Sequence, residues 1–322
     1  MAGSSTMGGG PALGAGPLLG RKGIGRKADP LFALLTAAAG STVLVILGFM
    51  ILTTTVTALP AFKSQGISFI TSTNWDPSAG RFGILAFIYG TLVTSAIALV
   101  VAVPLSVGVA LYVTQAAPRW LRGPVTYVVD LLAAVPSVIY GLWGVFVFLP
   151  LFLQPAAEFL SRFLGFLPIF AGPASGLSYF GAGVVLAIMI VPIITALTRE
   201  VLLTVPREDK YAAYALGATR WEMIRGVVLP RSRVGIVGAV MLGLGRALGE
   251  TIAVALLIGA RPTISASIFK PGYSMAAVIA NQFQEATEPH IRALVGVGVV
   301  LFGITILVNV GARLIIMRME RS

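Results

Sequence analysis

Residues 31–59 form a run of 29 residues without one charged side chain. A helix of about 20 residues crosses the hydrocarbon core of a bilayer, while a secretory leader has an apolar core of roughly 7 to 15. The run therefore predicts an uncleaved membrane span. Five further apolar runs follow at 83–113, 125–153, 180–197, 234–260 and 293–317, giving an all-α polytopic membrane protein with six transmembrane helices. Pro104, Pro136 and Pro192 lie inside these runs and predict kinks whose freed carbonyls are satisfied by neighbouring helices. The segment 156–168 is apolar but short and carries Glu158 and Arg162. It predicts an interfacial helix and not a seventh span.

Charge explains the rest of the topology. Only 11% of the 322 residues are charged, against about 25% in soluble domains, so a soluble enzyme is excluded. The net charge of +11 is distributed unevenly. With the amino terminus in the cytoplasm, 16 of the 23 basic residues fall on the cytoplasmic side, six fall on the other, and Arg246 lies within a span. By the positive-inside rule both termini are cytoplasmic, in a multi-pass protein of the cell membrane whose surroundings are lipid. The basic excess thus records orientation and not nucleic-acid binding. Residues 1–30 hold nine glycines and the cluster Arg21, Lys22, Arg26 and Lys27 without apolar period, and read as a flexible basic tail ahead of a permease domain at 31–318. There is no cysteine and one histidine, His290, so neither a disulfide framework nor a metal cluster is expected. His290 itself reads as part of a solvated loop before the last span.

The connection between the fourth and fifth runs, 198–233, is the largest polar feature. Pro206 suits the start of a helix, Glu208 and Asp209 suit its positive end, and Gly217 can close it with a left-handed residue. Thr219 followed three residues later by Glu222 fits a capping box and opens a second helix through Trp221, Ile224 and Val228 that is expected to stop before Pro230. Two short cytoplasmic helices with a bend at Gly217–Ala218 result.

Ala212, Ala213, Gly217, Val227, Leu229 and Pro230 stand at the spacing of the "EAA" motif, so this loop resembles the coupling loop of ABC importer permeases. Tyr211 replaces the glutamate of the motif and Val227 its isoleucine. The segments GISFITSTNW (66–75), GILAFIYGTLVTSAIALVVAVPL (83–105), VPSVIYG (135–141), GRALGETIAVALLIG (245–259) and MAAVIANQF (275–283) are similar to the PstC-type permeases of phosphate-specific transporters. The resemblance implies a type I ABC importer permease fold. It also implies a heterodimer with a PstA-type permease, a PstB-type ATPase dimer that binds ATP and Mg, and an extracytoplasmic PstS-type phosphate-binding protein. This chain would bind no cofactor of its own. Coupling to the ATPase would fall to Ala212, Ala213, Gly217, Ala218, Thr219, Trp221 and Leu229. The same architecture serves permeases for sulfate or molybdate, and an ion-driven secondary transporter is a further alternative.

Within the fifth run, Arg246 lies one residue from the midpoint and Glu250 three. A charge at such depth is costly and faces a cavity or a partner. On one helix the two are spaced i, i+4 and can meet. Guanidinium matches phosphate oxygens, which makes Arg246 a substrate contact with Glu250 competing for it; the other reading is a pair that locks two spans. Ser137 and Tyr140, and Thr91, Thr94 and Ser95, either line a path or bond their own backbone. Gly243, Gly245 and Gly249 read as close-packing positions, Asp130 as an anion at a helix amino terminus. No G-x-x-x-x-G-K-[ST], H-E-x-x-H, G-x-S-x-G or T-V-G-Y-G string occurs, so no phosphate-cradling loop or catalytic residue is assigned to this chain.

Overall fold

The computed structural model describes residues 28–173 and 176–320. All but three residues of the expected tail lie outside that range, and Ala28 to Pro30 already belong to the first helix. The chain forms two compact units that meet at Leu52/Thr53. In the first, the described residues belong to α1 (Ala28–Gln65), and every side chain from Pro30 to Leu52 is exposed, as suits a helix surrounded by lipid.

The second unit begins with the remainder of α1. It continues with a single turn, α2 (Ser68–Thr71), and a two-stranded antiparallel hairpin, β1 (Trp75–Asp76) and β2 (Arg81–Phe82), with Trp75 opposite Phe82. There follow α3 (Leu85–Leu111), α4 (Arg119–Ala134), α5 (Ser137–Trp143), α6 (Gln154–Leu164), α7 (Tyr179–Leu203), α8 (Arg207–Ala215), α9 (Arg220–Met223), α10 (Leu229–Gly249), α11 (Ile252–Leu257), α12 (Met275–Gln282) and α13 (His290–Glu320). Wide π-helical turns at Gly144–Leu153 and Ile224–Val228 join α5 to α6 and α9 to α10. Among the described residues, six helical segments are long and apolar enough to cross a membrane: Pro30–Gln65, Leu85–Ala116, Ser137–Leu164, Tyr179–Leu203, Arg220–Gly249 and His290–Arg318.

α7 is the centre of the second unit. The buried face of α3 carries Gly90, Thr94, Ala98, Ala102, Ser106 and Ala110, small residues at every fourth position. Such a stripe lets two helix backbones approach closely. α7 answers with Gly183, where an added Cβ would stand 2.7 Å from Ile97. α10 crosses the same helix: a Cβ on Gly235 would meet Val201 at 2.4 Å, and one on Gly243 would meet Ile194 at 2.6 Å. Ser178 caps α7, its hydroxyl accepting from the Gly181 amide at 3.2 Å, and the loop after α11 covers that end. The Ser178, Tyr179 and Phe180 amides donate to the carbonyls of Leu257, Lys270 and Ile268.

Three boundaries differ from the sequence expectation, one of them the fifth span, which is Arg220–Gly249 and not 234–260 because the helix breaks at Glu250. The third span is Ser137–Leu164 and not 125–153. Val135 is extended at ψ 129 before Pro136, because the proline ring disfavours the helical region for the residue ahead of it. This separates α4, whose exposed face carries Trp120, Tyr127 and Leu131. The segment expected as an interfacial helix is instead the far end of that third span, as α6. Likewise the helix opened by the capping box does not stop before Pro230 but continues through it. The π-turn at Ile224–Val228 and the position of Pro230 in the first turn of α10 accommodate a residue without an amide hydrogen.

Candidate functional site

The polar loop folds as two connected helices. α8 ends in a complete Schellman arrangement: the Gly217 amide donates to the Tyr214 carbonyl at 2.9 Å and the Ala218 amide to the Ala213 carbonyl at 3.1 Å. Gly217 supplies the left-handed turn at φ +82°, a conformation that costs other residues more. α9 opens on the reciprocal pair of Thr219 and Glu222. The Glu222 carboxylate accepts from the Thr219 amide at 2.8 Å, and the Thr219 hydroxyl accepts from the Glu222 amide at 3.3 Å.

Beneath the loop, Ala110, Leu202, Val205, Met223, Ile224 and Val228 form a small apolar core of their own, with Ala213 and Leu229 packed against it. The loop is therefore fastened to the ends of α3 and α7 and to the start of α10. Between α8 and the long helix lies a groove of about 340 Å³, lined by Ala212, Ala213, Leu216, Val227 and Pro230 and bounded by the ion pair of Asp209 with Arg231 at 2.9 Å. The alanine side chains keep this groove open. Leu216 and Trp221 are 89% and 61% exposed, and Tyr211, on the other face of α8, is 66% exposed, large apolar groups left uncovered by the described residues.

A second group gathers where two spans are interrupted. α10 ends at Gly249, Glu250 turns extended at ψ 129, and α11 starts at Ile252. The i, i+4 relation expected for Arg246 and Glu250 is thereby lost, and among the described residues they form no ion pair. The Glu250 carboxylate is buried and accepts from the Ala253 amide at 3.3 Å, capping α11 where the helix dipole favours an anion. Arg246 is exposed. Its depth follows from the packing register with α7. Gly235 sits on Val201 and Gly243 on Ile194, so the helices run antiparallel and Arg246 stands level with Val191, the central residue of Tyr179–Leu203. The face of α10 bearing Leu242, Gly245, Arg246 and Gly249 is uncovered: a Cβ on either glycine would meet nothing within 4 Å. Of the expected glycine contacts, only that of Gly243 is made within the chain.

α5 starts beside this group and packs on α11, with Gly141 close against Ala253. The Tyr140 hydroxyl donates to the Leu132 carbonyl at 2.8 Å, pinning the break at Pro136. Ser137 occupies the first position of α5, where helix amide hydrogens are unclaimed by backbone. Ser137 and Tyr140 on α5 and Glu250 at the start of α11 thus belong to two helices that pack on each other, with Arg246 one turn before the break. Thr94 is not part of it. It is buried between α3 and α7, and its hydroxyl is spent on the Gly90 carbonyl at 2.8 Å. Thr91 similarly joins Phe87 to the Met275 amide.

Two further residues lie elsewhere than expected. Asp130 is in the second half of α4, 3.9 Å from the Arg199 guanidinium, and not at a helix amino terminus. His290 is half-buried, stacked on Phe82 and edge-on to Trp75, with Nε2 3.1 Å from Gln282 Oε1. The same oxygen accepts from Trp75 Nε1 at 3.0 Å. The histidine ties the hairpin to α12 and α13, contacts distant in sequence and invisible to a local pattern.

Residues 102–321 match the family described as binding-protein-dependent transport system inner membrane component. The chain is 47% identical over 300 residues to the phosphate transport system permease protein PstC of Xylella fastidiosa strain 9a5c, covering 92% of this chain and 93% of the relative. It is 43% identical to PstC of Haemophilus influenzae, covering 91% and 95%, and 45% identical to PstC 2 of Mycobacterium tuberculosis, covering 90% and 92%. Among solved structures, a chain of the bacterial alginate ABC transporter in complex with its pentasaccharide-bound periplasmic protein superposes with a TM-score of 0.60 at 17% identity, over 89% of this chain and 94% of the other. A chain of the inward-facing MetNI methionine ABC transporter gives 0.50 at 20% identity, over 74% and 94%. These structures share the fold of an ABC importer permease. A chain with six candidate spans among its described residues and a bent loop fastened to its core, alike in sequence to these relatives over about nine-tenths of its length, belongs to the PstC family of phosphate transport system permeases.

Proposed function

We propose that the chain conducts inorganic phosphate across the cell membrane as one of two permease subunits of an ATP-driven importer, with both termini in the cytoplasm. The partners are a PstA-type permease, a PstB-type ATPase dimer that binds ATP and Mg, and a PstS-type binding protein that delivers phosphate from outside. The chain carries no catalysis of its own. The observation that carries this reading is Arg246 on the uncovered face of α10, level with the middle of α7, with the Glu250 carboxylate engaged by the Ala253 amide instead. An anion leaving water needs a fixed positive partner, and the guanidinium fork meets two phosphate oxygens at once.

The groove beside α8 and the exposed Tyr211, Leu216 and Trp221 form the surface that enters the ATPase, with Ala212, Ala213, Gly217, Ala218, Thr219 and Leu229 shaping it. Closure of the ATPase moves α8, and the apolar core beneath passes that movement to the spans. Glu250 is assigned to holding the helix break, so that α11 and α5 keep their starts beside Arg246. In cells lacking this chain, labelled phosphate uptake is expected to return with the wild type and to fall about tenfold to a hundredfold with Arg246→Ala, the worth of one charge-assisted contact. Wild-type uptake by Arg246→Ala at equal membrane abundance removes the pathway role. Full competition by sulfate or molybdate removes phosphate as the substrate.

A further inference from the structure

At the end of the molecule that carries α8, a cavity of about 400 Å³ lies on the far side of that helix from the groove. Thr114 and Gln115 after α3, and Leu203 at the end of α7, line it where two spans finish. Of the nine other lining residues five are cations, Arg119, Arg122, Arg207, Lys210 and Arg220, four are Val205, Tyr211, Tyr214 and Met223, and none is Asp or Glu. Among the described residues, none of the five takes part in an ion pair. Two nearby acids are engaged elsewhere, Asp209 with Arg231 and Glu222 with Thr219.

Like charges gathered without a counterion raise one another's energy. Burial first, and the Arg207 guanidinium after it, hold the Lys210 ammonium below the usual lysine range. Arg119 also occupies the first position of α4, behind Pro118, which offers no side-chain acceptor to the amides of the first turn, and that turn holds no acid, whereas the first turn of α8 carries Glu208 and Asp209. A helix start attracts anions and disfavours cations, so the arginine at the start of α4 is most stable with an anion between the two. Guanidinium forks and free amides together match the oxygens of a phosphoryl group.

The surroundings name the source of that group. α4 leaves the cavity with Trp120 76% exposed and Tyr127 65% exposed, and aromatic side chains of this kind prefer the headgroup level of a bilayer. Basic pockets at the ends of spans take acidic lipid headgroups. We infer that this cavity binds the phosphoryl group of an acidic membrane lipid, seated between α4 and α8. The inference requires only that the chain spans a membrane, and stands apart from the identity of the transported ion.

The test is native mass spectrometry of the full chain, comparing retention of phosphatidylglycerol with that of phosphatidylcholine. In the triple variant Arg119→Gln, Arg207→Gln, Lys210→Gln, affinity for phosphatidylglycerol should fall about tenfold or more, and in the control Arg225→Gln, Arg313→Gln less than about twofold. Should the triple variant not fold, Lys210→Gln alone should lose about threefold to fivefold. Unchanged retention, or equal loss in cavity and control variants, overturns the site. Release of the lipid by millimolar inorganic phosphate keeps the phosphoryl chemistry but overturns the lipid as its source. Release on adding the ATPase subunit overturns it in favour of an acidic protein surface.

Discussion

Single residues decide how closely the helices of this chain can approach. Gly183 has Ile97 and the Thr94 carbonyl where its side chain would be, at 2.7 and 3.2 Å. Gly183→Val should therefore destabilise the chain by about 1–3 kcal/mol. Gly245→Ala, with open space around it, should shift stability by less than about 1 kcal/mol. Thermal unfolding of the two purified variants in one detergent checks the contrast, and equal melting points would contradict the packing described. Residues whose role depends on partners within a few positions were readable from sequence. Gly217 and the Thr219–Glu222 pair are of this kind, because their hydrogen bonds close within six residues. Glu250, Asp130 and His290 were not, since each is held by a helix break or by side chains far away in the chain. The five-cation cavity was missed because its arginines were counted one by one as topology signals, and only the fold brings them together.

Among elements, the loop helix α8 depends on being stopped at the right place. Its termination at Gly217 needs a left-handed residue, which asparagine tolerates, alanine resists and a β-branched side chain resists most. Phosphate uptake should therefore rank Gly217 above Gly217→Asn, then Gly217→Ala, then Gly217→Val, the last losing at least about tenfold for a backbone cost of roughly 1–2 kcal/mol. Uptake independent of the side chain would show that the exact bend is not used. Spans were legible wherever an apolar run coincided with one helix, as at Tyr179–Leu203. They were misplaced where a run hid a break: hydropathy is blind to the extended Val135 between α4 and α5, although Pro136 carried a signal for it. Pro230 misled in the opposite direction, because a wide turn lets a helix absorb a proline that ordinarily ends one.

At the scale of the whole molecule, the absence of cysteine makes orientation directly measurable. With Ser5→Cys or Ser322→Cys, a membrane-impermeant maleimide should label inverted vesicles and spare intact cells, and with Thr263→Cys the pattern should reverse. Labelling of either terminus from outside would contradict the orientation read from the basic residues. The turning of Glu250 into the start of α11 has a consequence for assembly. In the proposed pairing of two permeases, Arg246 brings a charge without an ion-pair partner among the described residues to the shared surface, and a dry seam closed over it would carry a penalty of several kcal/mol. A junction formed there would therefore stay hydrated, or hold a counterion, even when nothing is being carried. In the assembled transporter, Arg246→Cys should accordingly react with a small hydrophilic thiol reagent, and a thiol sealed from it would mean that the gap is closed.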